Sequence, residues 1–545
     1  MSRVAAALPA MPAAGVRYHR EGRWRRGVFL DDLHARALAE PGRLVYTNIR
    51  EPGGEPRTVT FGELAGRVER MAAVLWSWGV RPGHVVAFRL PDHWESAALW
   101  LACGRVGAVA MSLSPSTGRR ETELMLAATE PRLLIGADDG GPAIPGGPGL
   151  TASLDELLTR SRLAEPLPTA DRPRVSADDA CQVVFTSGTT GSPKAVLHSY
   201  NTLYACVRTS AGLLPSPAVV AADAGLTHSV GLGFLALKPL LTGSRSVFMS
   251  HGGDYDAEAW LDLVAGCGVT CLVTLPTWLG RLNAAQRRDP RDLSRLRRVL
   301  SAGAPLPAPV AADVRALLAP CLMNVYGLTE AGAIASTAPD DPGDPAEESI
   351  GRAMPGMTVE VRDDGSGTGP LRVRGAALCR GMLDIRTGAT TWTPADDDGW
   401  YDTGDVGRRD ERGRLRYVSR SFDRVGWRNM IPVAEVESEL LAHPAVVESA
   451  LVGVPDHDGH EAACAVIIAD GVPPSLADLC SFLRARHMSE EFLPVRLAVA
   501  ETVPRTPMGK IDKASLRHRL VTGELAAESH GPHEPQGPGD RREPL

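Results

Sequence analysis

The stretch Thr186-Ser187-Gly188-Thr189-Thr190-Gly191-Ser192-Pro193-Lys194 constrains this chain more than any other. It follows the apolar run Cys181-Gln-Val-Val-Phe185, which reads as a buried strand, so the loop leaves a strand end. Gly188 and Gly191 let the backbone turn tightly and approach a ligand. Ser187, Thr189 and Thr190 offer hydroxyls and Lys194 a positive charge, a composition suited to polyphosphate. The pattern departs from the common P-loop, which needs four residues between its first glycine and a Gly-Lys-Ser/Thr; here Lys194 follows Pro193 and precedes Ala195. A kinase or GTPase of that type is disfavoured. A plain Gly/Ser/Thr surface loop is the competing reading, and the flanking strand counts against it.

At 545 residues the chain is too long for one core and implies two or three domains. A formal charge of -7, from 58 basic and 65 acidic residues, argues against a nucleic-acid surface and favours small-molecule chemistry. The basic residues are almost all arginine. The lysines are Lys194, Lys238, Lys510 and Lys513, so a retained lysine suggests a place where a compact ammonium serves and a guanidinium fork does not. The nine cysteines show no paired CxxC spacing and read as free buried thiols; Cys267 and Cys271 lack the companions of a zinc site. No run of 18 apolar residues and no leader-type N-terminus is visible, so a cytoplasmic, membrane-free protein is expected.

In chain order, residues 1–24 read as a poorly ordered lead-in. Asp31–Ala39 and Ala65–Trp78 read as helices, Val85–Leu90 as a strand, Trp94–Arg105 as a helix and Gly107–Met111 as a strand, which is an α/β layer with parallel strands. Val269–Thr274 and Leu296–Ala302 read as further strands. From Gly351 to Leu383, alternating apolar residues with glycine breaks suggest a small β-rich subdomain. Beyond it, a helix from Val436 and strands at Glu448–Val452 and Ala463–Ile468 give a compact α+β unit to about residue 522. Residues 523–545 read as a disordered tail, with metal binding by His530 and His533 the weaker reading.

With four further motifs in order, the loop makes residues 25–520 resemble the adenylate-forming superfamily: acyl- and aryl-CoA synthetases, peptide-synthetase adenylation domains and beetle luciferases. The resemblance implies a large N-terminal domain (25–420) of layered α/β subdomains plus a β-rich subdomain, and a small mobile α+β C-terminal domain (421–522). It implies ATP and Mg²⁺, with coenzyme A as co-substrate, and formation of an acyl-adenylate with release of pyrophosphate. Thr186 to Gly191 and Lys194 would hold phosphates, and Gly303, Ala304 and Pro305 would face adenine. In Asn324-Val-Tyr326-Gly327-Leu-Thr329-Glu330, Tyr326 offers a ring to stack on the base, Thr329 a hydroxyl for phosphate and Glu330 a hard carboxylate for Mg²⁺. His228 would stand at the mouth of the acyl pocket, near Ser229, Gly233, Pro276 and Thr277. Asp405, in Gly399-Trp-Tyr-Asp-Thr-Gly-Asp405, would accept the ribose hydroxyls, with Arg420 at the hinge as a second ribose contact. Lys510, in Pro504-Arg-Thr-Pro-Met-Gly-Lys510, would be the catalytic lysine.

Ser419 replaces the glycine expected before Arg420, and the spacing from Ser421 to Glu437 is shifted. Asp423 is the nearest pivot, and Gly426 beside bulky Trp427 replaces a glycine-rich turn at the thiol channel. Coenzyme A is the first acceptor expected. The alternatives are the thiol of a separate carrier protein, an amine or a small inorganic nucleophile. A monomer or homodimer acting on an aryl or small to medium acyl acid is the expected form.

Overall fold

The computed structural model describes residues 14–49, 55–115, 117, 119–136, 150–186, 194–249, 257–339, 349–363, 367–384, 390–392, 395–420, 431, 433–455, 461–486, 488, 492–506 and 509–529. The chain divides into two compact units, Met1–Tyr417 and Val418–Leu545. Among the described residues the strands form three sheets, of thirteen, eight and four strands. The first two build the larger unit. The third builds the smaller.

Local sequence sets the element boundaries. The helix Phe61–Ser77 begins four residues ahead of the expected Ala65, because Thr60 and Glu63 form a capping box: Thr60 Oγ1 accepts from Glu63 N and the Glu63 carboxylate from Thr60 N. The lead-in reading fails from residue 14 onward. Gly15–Arg20 is helical, Tyr18 and Trp24 are buried, and the Trp24 indole N–H donates to Ala376 O at 2.9 Å. Two aromatics anchor a segment that had read as poorly ordered. The tail reading needs the same correction: Glu528–Ser529 pairs with Arg496 and Leu497 as an edge strand.

In the eight-stranded sheet, Val85–Arg89 lies parallel between Val109–Ser112 and Leu133–Gly136, and Ala180–Thr186 continues the parallel run through Gln182 opposite Ala110. Apolar clusters cover both faces, which is why these strands read as unbroken hydrophobic runs. Direction then reverses. Lys194–Ser199 pairs antiparallel with Ala180–Thr186, and Thr186 stands opposite Lys194.

The thirteen-stranded sheet has a parallel centre in the spatial order Leu44–Ile49, Arg245–Met249, Val219–Ala222, Cys271–Thr274, Arg298–Ala302, Cys321–Leu328. Beyond it the strands run antiparallel, from Gly332–Ser336 through Ser349–Ala353, Leu415–Arg420, Tyr401–Arg409 and Thr368–Gly375 to Met357–Val361. The β-rich region anticipated from Gly351 is therefore hydrogen-bonded onto the parallel strands. Ligands of open α/β sheets gather at the carboxyl ends of such strands. In the smaller unit, Val446–Pro455, Glu461–Ala469, Arg496–Val499 and Glu528–Ser529 form the sheet, with helices Val433–Leu441, Leu476–Ala485 and Lys513–Val521.

Lys238 is fully buried after the π-helical turn Leu232–Leu237. Its Nζ donates to Ser210 Oγ at 2.7 Å and lies 3.4 Å from the Phe234 ring centroid. Burial pushes the ammonium down to about 7, so the fold disfavours the charge that an unfolded lysine keeps to about pH 10. The contribution of Lys238 to stability is therefore most favourable above pH 10 and declines as pH falls towards 7. Lys238→Met, which fills a similar volume and leaves Ser210 Oγ its bond to Cys206 O at 2.9 Å, is expected to raise the melting temperature at pH 7, with the gain shrinking towards pH 10. Melting curves across that range check it. A constant offset would show that Ser210 and Phe234 fully compensate the cation.

Candidate active site

The two ends of the stretch read as a phosphate loop lie on paired strands. Thr186 and Lys194 form a cross-strand pair, and on its other side Lys194 pairs with Asp384. Ser187, Gly188, Thr189, Thr190 and Gly191 lie outside the described residues. The strand that begins at Lys194 carries His198, whose Nε2 is 2.9 Å from Thr329 O.

Asn324, Tyr326 and Gly327 lie on Cys321–Leu328, and Thr329 and Glu330 make the turn into Gly332–Ser336. Gly327 has a structural reason: a Cβ there would stand 2.5 Å from Gly332 O. Asn324 is fixed by its own bonds, with its backbone N–H donating to Thr337 Oγ1 at 2.9 Å and Nδ2 to Ser349 O at 3.0 Å. Glu330 is half-buried. Its carbonyl accepts from Cys379 N at 2.7 Å, and Tyr401 Oη lies 3.4 Å from its Oε1.

Tyr326 and Asp405 are brought together directly. The phenol donates to Asp405 Oδ2 at 2.6 Å, joining two motifs 79 residues apart. Asp405 is 1% exposed, and its backbone N–H donates to Thr403 Oγ1 at 3.1 Å. Gly303, with φ +87°, turns the chain after Arg298–Ala302, on the strand beside Tyr326. Ala304 is half-exposed and Pro305 exposed.

His228 is half-exposed ahead of the short helix Ser229–Gly231, and the strand it follows, Val219–Ala222, lies three places from that of Tyr326. Asp92 anchors this loop, its Oδ1 accepting from Leu226 N at 2.7 Å. Pro276 and Thr277 open the helix Pro276–Arg288 at the end of Cys271–Thr274. Sequence reasoning missed a polar row at this edge. Thr274, Ser301 and Asn324 are in register on adjacent strands, and Thr274 Oγ1 donates to Asp223 Oδ2 at 2.7 Å. Burial pushes the Asp223 carboxyl up to about 6 despite that bond. One polar residue closing each apolar run carries no periodic signal.

In the smaller unit, Lys510 sits on a clamped loop. Thr506 N donates to Lys510 O and Gly509 N to Thr506 O, both at 2.8 Å, with Gly509 at φ +77°. The Arg505 guanidinium donates to Gly509 O at 3.0 Å and to Glu448 Oε1 at 2.6 Å. Lys513 pairs with Glu437 at 2.7 Å, opening the helix Lys513–Val521. Arg420 ends the strand Leu415–Arg420. Asp423, Gly426 and Trp427 lie outside the described residues, as do His530 and His533. Among the described residues no three His, Cys, Asp or Glu side chains gather to hold a metal, and no helix is long and apolar enough to cross a membrane.

The sequence profile described as AMP-binding enzyme matches residues 33–383, and that described as AMP-binding enzyme C-terminal domain matches 435–510. Feruloyl-CoA synthase from an Amycolatopsis species is 33% identical, covering 85% of this chain and 94% of its own. The salicyl-AMP ligase / salicyl-S-ArCP synthetase of Mycobacterium tuberculosis is 28% identical, covering 96% of each. Among solved structures, ATP-bound MatB from Rhodopseudomonas palustris superposes with a TM-score of 0.79 at 26% identity, covering 91% of this chain and 99% of that one.

Tyr326→Phe keeps the ring and removes the donor to a buried carboxylate, a bond of the class worth about 1.5–3 kcal/mol. ATP affinity, measured by calorimetric titration, is expected to fall at least about tenfold, and further in Tyr326→Ala, which also removes the stacking surface. Wild-type affinity in Tyr326→Phe would mean that this bond does not orient Asp405 for ligand.

Proposed function

Because the chain belongs to the AMP-binding enzyme family, it is an AMP-forming ligase that activates a carboxylic acid with ATP and passes the acyl group to a thiol, and we propose coenzyme A as that thiol and a division of labour among its residues. A carboxylate oxygen of the acid bonds to the α-phosphorus of ATP while the bond to pyrophosphate breaks. Both reactants are anions, so positive charge must stand where they meet. Lys194 and the backbone of 187–191 take the phosphates, Thr329 adds a hydroxyl, and Lys510 adds a second ammonium. Mg²⁺ supplies charge neutralisation on the phosphates. Glu330 would hold it, and a single hard carboxylate suits an ion that arrives with its nucleotide and keeps water ligands.

The observation that carries this assignment is the Tyr326–Asp405 hydrogen bond. A ring that can stack on adenine and a carboxylate that can accept ribose hydroxyls are linked by one hydrogen bond. Gly303, Ala304 and Pro305 form the opposite wall of the base site, Asn324 fixes its floor, and Arg420 adds a ribose contact. His228 marks the mouth of the acyl pocket. The adenylation domain takes in the helix Gly15–Arg20 and runs to the hinge at Arg420, and the C-terminal domain runs on through the edge strand Glu528–Ser529, moving about Arg420 to bring Lys510 in for the first half-reaction and withdraw it for the second.

An aryl or small to medium acyl acid is the substrate class. Ser419, and Trp427 beside Gly426, favour a second reading of the acceptor, in which a carrier-protein thiol, an amine or a small inorganic nucleophile replaces coenzyme A. One relative is itself named a salicyl-S-ArCP synthetase. A cytoplasmic enzyme acting as a monomer or homodimer completes the reading.

Pyrophosphate release over a panel of aryl and aliphatic acids, each with and without coenzyme A and with products weighed by mass spectrometry, tests both readings. Acyl-CoA formation supports the first; activation without a thioester supports the second. Lys510→Ala is expected to slow acid-dependent pyrophosphate exchange about 10²–10³-fold while leaving consumption of preformed acyl-adenylate largely intact. Equal damage to both half-reactions would sink the assignment of Lys510. Glu330→Gln is expected to raise the Mg²⁺ requirement more than the acid requirement, measured as separate titrations of the exchange rate.

A further inference from the structure

The strand Lys194–Ser199 holds a residue that the chemistry above does not use. His198 is wholly buried and shares a strand face with Lys194 and Val196, while Ala195 and Leu197 pack into the opposite core. Burial pushes the imidazole down to about 4, so it is neutral, with one donor nitrogen and one acceptor. Thr329 O can only accept, so Nε2–H donates to it at 2.9 Å. Nδ1 then accepts from Thr202 Oγ1 at 3.0 Å, and Thr202 is itself fixed in the capping box of the helix Tyr200–Thr209. Both ring nitrogens are engaged, and one tautomer satisfies both.

The next peptide is tied to the same strand by a second route. Glu330 O accepts from Cys379 N at 2.7 Å, and the following residue, Arg380, donates its N–H to Leu197 O at 2.8 Å. Two consecutive carbonyls of the Thr329–Glu330 turn are thus referenced to the strand that begins at Lys194. That turn also closes the hairpin at Gly332, where a Cβ would stand 2.8 Å from Cys206 Sγ, so it has little freedom to shift independently.

We propose that His198 is a positioning residue of the adenylation half-reaction, setting the separation between Lys194 and the Thr329–Glu330 pair without touching a substrate. The proposal rests on the assignment of those residues to the triphosphate and its Mg²⁺. A misplacement of about 1 Å among such groups costs about 10²-fold in rate. A histidine that merely fills the core would affect folding and leave the two half-reactions in their original ratio.

The test compares His198→Gln, whose Nε2 can still reach Thr329 O, with His198→Asn, which keeps a partner for Thr202 and abandons Thr329. In the full chain, pyrophosphate exchange is followed over ATP and Mg²⁺, alongside consumption of preformed acyl-adenylate and melting temperature. His198→Asn is expected to lose about 10²-fold in exchange, with a raised Mg²⁺ requirement, while adenylate consumption stays within about twofold; His198→Gln should recover most of the loss. Equal losses in the two half-reactions, or equal behaviour of Gln and Asn, would overturn the proposal. Should His198→Asn fail to fold, Thr202→Val frees Nδ1 and the tautomer, and a smaller loss confined to exchange is expected; a loss shared by both half-reactions counts against it. Lys510→Ala run in parallel separates the two levels. If it slows exchange about 10²–10³-fold while His198→Asn exchanges at the wild-type rate, this proposal alone fails; if it leaves exchange intact, the reading beneath it fails too.

Discussion

The bond from Tyr326 to Asp405 spans the two kinds of pairing in the large sheet. Tyr326 belongs to the last parallel strand and Asp405 to the antiparallel extension. For a phenol and a carboxylate to meet at 2.6 Å with the acid 1% exposed, the extension must be hydrogen-bonded onto the parallel centre in fixed register, as it is through Gly332–Ser336 and Ser349–Ala353. The Tyr326–Asp405 contact therefore depends on backbone order across several strands. A loosely attached β-rich lobe would leave a buried carboxylate without a fixed donor, which is costly in a low dielectric.

Much of this was legible in the sequence, for reasons of local chemistry. The Thr186–Lys194 stretch, the Asn324–Glu330 motif and the segments ending at Asp405 and Lys510 each concentrate unusual residue types, and that made the family recognisable. The parallel strands announced themselves as apolar runs because both faces are covered. What escaped notice depends on partners far along the chain. His198 follows two apolar residues and looks like part of a buried strand; only Thr329, 131 positions away, gives it a role. Trp24 was lost among arginines because its anchor is Ala376. Glu528 and Ser529 have no strand signal of their own and pair because Arg496 and Leu497 offer an edge. Helix starts were missed by a few residues where a capping box outranked the apolar periodicity.

The lysines show how composition misleads and instructs together. Their scarcity pointed to positions where an ammonium is needed, yet the need differs at each. Lys194 begins the strand at the phosphate loop and Lys510 tops a loop clamped by Arg505 and Glu448. Lys513 fastens a helix start to Glu437, and Lys238 is a buried amine over Phe234 whose charge the fold disfavours. A compact head group on a flexible stem is what they share. The sequence reports that property and is silent on which use is made of it.

That inventory has a consequence for the enzyme's own survival. An acyl-adenylate is a mixed anhydride, and a primary amine attacks it readily whereas a protonated guanidinium does not. A protein that makes such an electrophile at its surface is exposed to acylation by its product. Here the side-chain amines number four, one sealed in the core beside Ser210 and one held in an ion pair with Glu437. Arginine elsewhere carries positive charge without offering a free amine, so an escaping intermediate would meet few side chains able to take its acyl group.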